Sequence, residues 1–349
     1  NLKARYDSHF RLIIDYEHDS FLDAKEDVYA LPEGATSEVK LLATRQQMEA
    51  DCVIVTCFPM KSPVMLLGGE VSAQKAVFSL LNGPDLFFYQ KVLRLENEGF
   101  TFEIKQAENS KDLFKNKRDF KKSAKVTHTV TAYTKDGIEA EPSAFFAGAF
   151  FLANFLTFVR GGYVGIGHMV GIDCCDEIQF ASLGFNKFDD FALPKGWFDI
   201  EQYEELPRLF GEFSNLKHRN EDYEIVRNCL EFYRASNSIR DTSLEMAIVA
   251  SHAALETIVP YVLKARAGWT NELLGGRNSF HSKFRAAATF IGIYGDPLEH
   301  ASQILKKAKS FKNADAFEMS SIFRNRIVHQ GSEFSYDGLD LFEIWQFQQ

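Results

Sequence analysis

Cysteine is scarce in this sequence, and no two cysteines have the spacing of a zinc or redox motif. The five cysteines lie at positions 52, 57, 174, 175 and 229, without a CxxC pair. This usage argues against a disulfide framework and a zinc ribbon, and it indicates a reducing compartment. No signal peptide is visible. We expect a cytoplasmic protein with no metal and no cofactor, whose natural chain starts before Asn1.

A long apolar run is also missing. The longest, residues 144–159, spans 16 residues, whereas a helix needs roughly 20 to cross a bilayer. It also contains Asn154 and Thr157. We predict a buried helix here and no membrane partner, with a membrane anchor as the alternative.

An excess of positive charge is missing from the chain as a whole, whose net charge of −9 is unusual for a protein that binds RNA. Residues 261–330, however, contain eleven Lys or Arg against five Asp or Glu, a local charge of +6 that leaves −15 elsewhere. A basic region of this kind attracts a phosphate backbone to one place. The alternative is a solvated lysine face around Lys306 and Lys309.

Residues 1–197 have the pattern of a β-rich mixed domain. The β-branched runs at 52–58 and 125–133 predict strands, and a helical piece is expected near 71–81. Glycines 165, 167 and 171 have the spacing of a dinucleotide loop, but a helix precedes them where that loop requires a strand. We interpret them as tight turns between strands. The 33 Phe, against 12 Tyr and 3 Trp, predict an aromatic-rich core.

From about residue 198 the pattern changes to helices, which gives an α+β fold with domains at 1–197 and 198–349. Apolar positions between 242 and 262 alternate by four and three, which predicts a helix inside an all-α bundle. Thr242 and Glu245 predict its capping box, and Pro260 is expected to bend it.

The most informative stretch is a late helix between residues 315 and 331. Asp315 and Glu318 predict a capping box at its start, and Gly331 is placed to stop it. Its last turns carry Arg324, Asn325 and His329. The pattern arginine–polar–x–x–x–histidine is similar to the signature of the HEPN superfamily (higher eukaryotes and prokaryotes nucleotide-binding domains).

The resemblance extends beyond these six positions. Four segments follow the order seen in ApeA-like HEPN proteins: 233–237, 253–257, 282–285 and 324–329. The segment 155–171 also resembles theirs, so the likeness covers residues 140–335. It implies a HEPN-like helical bundle behind a β-rich regulatory or sensing region. It further implies a metal-independent endoribonuclease of the bacterial toxin or phage-defence type.

The residue types suit that reaction. Histidine titrates near neutral pH and so suits proton transfer, and a helix C-terminus attracts positive charge. We therefore expect His329 to act as general acid or phosphate binder. The arginine fork suits an anionic phosphorane, which assigns that role to Arg324. Asn325 is expected to donate a hydrogen bond or to hold the imidazole tautomer.

Helix geometry adds a condition to this site. Arg324 and His329 are five residues apart and so lie about 140° apart around the helix. The resemblance implies that a homodimer completes the site, because HEPN ribonucleases join two such helices in one composite cleft. RNA is then the substrate, and an antitoxin or a phage-derived trigger is a further partner.

Further residues are candidates for substrate binding: Arg326, Lys306, Lys309, Glu256 and His252. Glu256 and His252 lie four apart on one helix, so a structural pair is the alternative for these two. For the whole domain, the alternative is a catalytically inactive HEPN-like module that binds RNA or protein, or dimerises, and cuts nothing.

Overall fold

The structure is a computed structural model. It describes residues 72–86, 92–107, 125–191, 196–198, 200–240, 242–294 and 315–330, together with the backbone of six strands between residues 2 and 67. The fold is α+β, with an N-terminal antiparallel sheet region and a C-terminal helical region. The chain divides into two compact units, Asn1–Leu193 with Phe198–Ser214, and Pro194–Trp197 with Asn215–Gln349. The predicted boundary at 197/198 thus precedes a segment, Phe198–Ser214, that belongs to the first unit.

In the described part of the first unit, twelve strands form two sheets. They are β1 (Leu2–Tyr6), β2 (Leu12–His18), β3 (Val28–Tyr29), β4 (Leu41–Glu49), β5 (Cys52–Pro59), β6 (Val64–Leu67), β7 (Lys75–Leu81), β8 (Val92–Glu96), β9 (Phe100–Gln106), β10 (Val126–Thr134), β11 (Gly165–Ile172) and β12 (Ile178–Phe185). The five-stranded sheet has the order β1-β2-β5-β4-β3, and the seven-stranded sheet β6-β12-β11-β7-β10-β9-β8. The predicted strands at 52–58 and 125–133 are confirmed. The helical piece near 71–81 is wrong, because β7 occupies it between β10 and β11.

The core of the first unit is aromatic, as predicted. Helix α1 (Pro142–Arg160) and helix α2 (Leu206–Lys217) carry phenylalanines that meet ring against ring. The ring centroids of Phe155 and Phe210 are 5.1 Å apart, and the two ring planes are inclined at 69°. This edge-to-face arrangement adds to the energy of burial. Phe100 of β9 lies 5.2 Å from Phe145 of α1 and so joins sheet to helix.

Within the described ranges, two helices are long and apolar enough to cross a membrane by length and composition alone. In the 19-residue Pro142–Arg160, 56% of the most apolar window is buried, and in Leu244–Arg266 the share is 28%. Residues 144–159 therefore form a mostly buried helix, as predicted, although it is longer than the apolar run. The absence of a membrane partner stays a prediction.

Glycines 165, 167 and 171 lie inside β11, so the interpretation as tight turns is wrong. Neighbouring side chains pack closely over all three glycines, and at Gly167 and Gly171 aromatic rings leave no room for a side chain. A Cβ on Gly167 would overlap the carbonyl oxygen of Gly184 and the ring of Phe185, and one on Gly171 would overlap the ring of Phe180. Close packing across the sheet explains the glycine spacing without a nucleotide.

We expect Gly167→Ala to lower the free energy of unfolding of the first unit by about 1–3 kcal/mol, because the methyl group overpacks the sheet. Gly211→Ala is the matched control, since a Cβ on this helical glycine of α2 meets no atom within 4 Å. It should stabilise by about 0.5–1 kcal/mol. Urea unfolding measures both, and equal stabilities for the two variants would contradict the packing argument.

Among the residues that the structure describes, five helices lie in the second unit after the end of α2. They are α3 (Asn220–Ile239), α4 (Leu244–Tyr261), α5 (Asn271–Gly275), α6 (Phe280–Phe290) and α7 (Ala316–Gln330). The predicted helix at 242–262 is confirmed as α4, but its N-cap is Ser243, whose Oγ accepts from the backbone N–H of Met246 at 3.2 Å. Thr242 therefore is not the cap. After Pro260 the helix continues as a π turn, Val262–Arg266, which accommodates the missing proline donor.

Candidate functional site

The late helix α7 is held at its start by a cap and an ion pair. Asp315 Oδ1 accepts from the backbone N–H of Glu318 at 2.9 Å, so the predicted N-cap is confirmed. The other oxygen, Oδ2, accepts from Nε of Arg285 on α6 at 2.8 Å. The guanidinium of Arg285 also stands over the ring of Phe317, 5.7 Å from its centroid. The carboxylate of Asp315 thus caps the start of α7 and pairs with Arg285 of α6.

We expect Asp315→Ala to lower the free energy of unfolding of the second unit by about 0.5–2 kcal/mol through loss of the cap. Asp315→Asn keeps a capping oxygen and loses only a half-exposed ion pair, which contributes about 0–1 kcal/mol. In urea unfolding monitored by circular dichroism, we expect the free energy of unfolding to decrease from wild type to Asp315→Asn and further to Asp315→Ala. A loss as large in Asn as in Ala would show that the charge, not the cap, dominates.

Arg324 lies between two polar partners in the second half of α7. Its Nη1 donates to Asn325 Oδ1 at 3.0 Å, and its Nη2 is 3.9 Å from Oε1 of Glu256 on α4. The side chain of Arg324 is 30% exposed, and that of Glu256 is 45% exposed. The guanidinium is therefore oriented from two sides and still reaches solvent.

Beneath this pair lies His252, which is only 4% exposed. Its Nδ1 is 3.6 Å from the same Glu256 Oε1, and neither ring nitrogen has a hydrogen-bond partner. The ring packs against Phe280 of α6 with centroids 4.8 Å apart. Burial lowers the pKa of His252, the charge of Arg324 lowers it further, and Glu256 opposes both. The lowered pKa favours a neutral imidazole, whose Nδ1 lies beside Glu256 without a hydrogen bond.

His329 lies exposed in the last turn of α7, next to exposed Val328. His329 is five positions along the chain from Arg324, which corresponds to about 140° around the helix. Asn325 is exposed as well, and Arg326 is half-buried. The structure thus gathers Arg324, Asn325, Glu256 and His252, and places His329 on a different side of α7. Lys306 and Lys309 lie outside the described residues, as does Gly331.

The segments that carry the resemblance lie on α3, α4, α6 and α7 of the second unit. A buried polar contact links the first two helices: Ser236 Oγ donates to the carbonyl of Ala247 at 2.8 Å and lies 2.7 Å from Ser251 Oγ. Sequence reasoning missed this contact and the Arg285–Asp315 pair. Arg285 falls inside the segment 282–285, which was the one available signal for it.

The part of the chain that the structure describes contains no cluster of three His, Cys, Asp or Glu side chains that could hold a metal ion. The comparison with known families gives one result. The YopA C-terminal domain family matches residues 219–348. No curated protein and no solved structure matches the chain significantly.

The matched stretch nearly coincides with the second compact unit, whose main segment is Asn215–Gln349. Both observations therefore delimit the same C-terminal piece, which contains α3 to α7. The name of the family states no activity, and the likeness to HEPN proteins stays a prediction.

Proposed function

We propose that the second unit is a metal-independent endoribonuclease whose site consists of Arg324, Asn325 and His329. The observation that carries the proposal is that all three reach solvent from the last turns of α7, while Glu256 and Asn325 orient the arginine. Neither Arg324 nor His329 is enclosed in the packing of its own unit. Such enclosure would have been incompatible with a site.

The reaction needs a proton removed from a ribose 2′-hydroxyl, an anionic phosphorane stabilised, and the leaving 5′-oxygen protonated. Arg324 supplies planar, permanently charged donors to the phosphorane. His329 supplies a group that gives or takes a proton near neutral pH. Asn325 holds Arg324 at 3.0 Å and adds a neutral donor through its amide nitrogen.

The 140° between Arg324 and His329 supports a composite site in a homodimer. In that arrangement, the arginine of one chain acts beside the histidine of the other. The local charge of +6 over residues 261–330 supports RNA as the substrate, because phosphate contacts by Lys and Arg dominate nucleic-acid affinity. Arg326 is the described residue that we assign to backbone binding, together with Lys306 and Lys309.

The test is RNA cleavage by purified protein in the presence of EDTA, with the product ends identified. We expect cleavage that resists EDTA and leaves 2′,3′-cyclic phosphates, and that falls by about 10²–10³-fold in Arg324→Ala. Arg324→Lys keeps the charge without the fork and should recover only part of the rate. Cleavage abolished by EDTA would overturn the metal-independent mechanism.

An inactive binding or dimerisation module is the second candidate. It is favoured by the contact of Arg324 with Glu256, which resembles a structural ion pair and needs no substrate. On that reading the wild-type protein binds RNA without cleaving it, and Arg324→Ala lowers the free energy of unfolding. The EDTA experiment combined with urea unfolding of the same variant distinguishes the two candidates.

We assign the β-rich first unit to regulation, in a cytoplasmic system of the bacterial toxin or phage-defence type. The fusion of the two units and the acidic balance outside 261–330 support this assignment. An antitoxin or a phage-derived trigger would then be read by the first unit. Expression in bacteria tests it: the wild-type chain should arrest growth on infection and Arg324→Ala should not, whereas arrest by both would contradict it.

A further inference from the structure

The turn between β11 and β12 carries two adjacent cysteines that the proposed nuclease does not use. Cys174 and Cys175 are both exposed free thiols. Their sulfur atoms are 3.8 Å apart, so the two side chains lie side by side at the end of the hairpin. Among the cysteines whose side chains the structure describes, the third is Cys229, which is half-buried on α3.

The backbone of this turn is fixed by the carboxylate of Asp173. Its Oδ1 accepts from the backbone N–H of Cys175 at 2.8 Å and of Glu177 at 2.9 Å, and its Oδ2 accepts from Gln179 Nε2 at 2.5 Å. The N–H of Asp173 donates to the carbonyl of Glu177 at 3.1 Å, which closes the turn. Asp176 is paired with Lys75 of β7 at 2.5 Å. The two thiols therefore stand on a pre-ordered loop.

The sulfur separation distinguishes between the possible products. A disulfide needs sulfurs about 2.05 Å apart and Cα atoms about 4.4–6.8 Å apart, whereas adjacent Cα atoms are about 3.8 Å apart. A direct bond between Cys174 and Cys175 would thus be strained. A single centre bonded to both sulfurs avoids this strain, because it holds them well beyond disulfide length, at about 3.8 Å in a tetrahedral zinc thiolate. The observed separation of 3.8 Å is a van der Waals contact that places both thiols within reach of one such centre.

The number of protein ligands at the turn restricts which element can bridge the two sulfurs. Structural zinc takes four ligands, and the described residues contain no third His, Cys, Asp or Glu placed to join a metal site. A trivalent arsenic centre that already carries one organic group needs only two sulfurs. We infer that Cys174 and Cys175 form a dithiol site for a monosubstituted trivalent arsenical or a similar thiophilic centre.

The reaction balances without an oxidant. An arsine oxide, R–As=O, condenses with the two S–H groups to give R–As(S)₂ and one water. Two arsenic–sulfur bonds form, the arsenic–oxygen bond breaks, and both thiol protons leave with the oxygen. The hydrogen-bonding contact with Cys174, followed by its charge and that of Asp173, raises the pKa of Cys175. The raised pKa favours the protonated form of the Cys175 thiol, which suits a condensation that consumes S–H groups.

Phenylarsine oxide added to the reduced, full-length protein tests the site by intact mass and by peptide mapping. We expect one adduct per chain at Cys174–Cys175, with the mass of the reagent less one water. An excess of a monothiol should leave it intact, and an excess of a dithiol should remove it. Cys174→Ser and Cys175→Ser should each abolish the resistance to monothiol, because a single sulfur cannot chelate.

Cys229→Ser is the matched control and should bind as wild type does. An adduct that resists monothiol in both single-serine variants, or that maps to other cysteines, would overturn the inference. Oxidation of the pair to a disulfide by a mild oxidant, with no arsenical adduct on the reduced protein, would overturn it as well. The two cysteines lie in the first unit and the proposed nuclease residues in the second. The result of the arsenical experiment is therefore independent of the nuclease assay.

Discussion

His329→Ala is expected to lower the rate of RNA cleavage by about 10²–10⁴-fold, the usual contribution of a positioned proton-transfer group. The same change should alter the free energy of unfolding by less than about 0.5 kcal/mol, because the side chain is exposed. A large effect on kcat with almost no effect on stability distinguishes a reacting histidine from a structural helix end. Steady-state cleavage of a fluorescent RNA and urea unfolding measure the two quantities.

Two neighbouring positions provide the controls for this experiment. Val328→Ala removes an equally exposed side chain beside His329 and should leave both kcat and KM unchanged. Arg326→Ala removes an expected phosphate contact, so it should raise KM and reduce the salt dependence of binding with kcat little altered. A histidine variant as active as the valine variant would remove His329 from the site.

The pH dependence of kcat gives a further test, because a purely structural role of His329 would not change it. With His329 as proton donor or acceptor, kcat should depend on pH, and His329→Ala should flatten that dependence. Mixing the Arg324→Ala and His329→Ala chains tests the composite site. Each heterodimer then keeps one intact pair and should regain part of the activity, whereas two inactive chains that stay inactive together would contradict it.

The second large effect concerns acid stability and a histidine of the first unit. His128 on β10 is fully buried, and this burial lowers its pKa from 6.5 to about 3. Its Nδ1 lies 2.9 Å from Thr127 Oγ1, and its ring contacts the backbone at Gly83 closely enough to exclude a Cβ there. The folded state therefore holds this imidazole neutral where the unfolded state would protonate it.

The direction of the pH effect follows from proton linkage. The folded pKa is depressed below the unfolded one, so the unfolded state binds the extra proton and stability falls as the pH drops from 6.5 towards 3. At pH 4.5 the wild-type first unit should have lost about 2–3 kcal/mol relative to pH 7.5 through this group alone. The glutamine in His128→Gln does not titrate. The free energy of unfolding of this variant should therefore fall by about that much less than that of wild type between pH 7.5 and pH 4.5.

Urea unfolding at pH 7.5, 6.5, 5.5 and 4.5 provides the comparison. Subtracting the two proteins at each pH removes the contribution of every other titrating group. The variant starts less stable, because the glutamine fits the cavity poorly, but the difference should shrink steadily as the pH falls. Parallel curves for His128→Gln and wild type would contradict the linkage.

Local patterns in the sequence predicted the features that depend on neighbouring residues. The cap at Asp315, the strands β5 and β10 and the helix α4 are confirmed, because capping and β-branched or helical periodicity act within a few residues. The aromatic core followed from the abundance of phenylalanine. The placement of Ser243 instead of Thr242 as N-cap is the one-residue error that such patterns usually leave.

The errors have a different physical origin, which is packing between distant segments. Residues 75–81 form a strand because β10 and β11 pair with both of their edges, and nothing within the segment indicates this. Gly167 and Gly171 of β11 are required by the phenylalanine rings of Phe185 and Phe180, which arrive from β12. The contact of Arg324 with Glu256 likewise joins two helices and has no local signature. Tertiary contacts of this kind override propensity.

The order of strands in the seven-stranded sheet has a consequence for synthesis on the ribosome. Strand β6 pairs with β12, and β7 with β11, so the middle of this sheet cannot close until residue 185 has been made. At about 5–20 residues per second, β6 waits about 5–20 seconds for its partner. Its unpaired edge is a hazard for aggregation during that interval. The helices of the second unit emerge only afterwards and make mostly local contacts, so they should form quickly behind a sheet that is already complete.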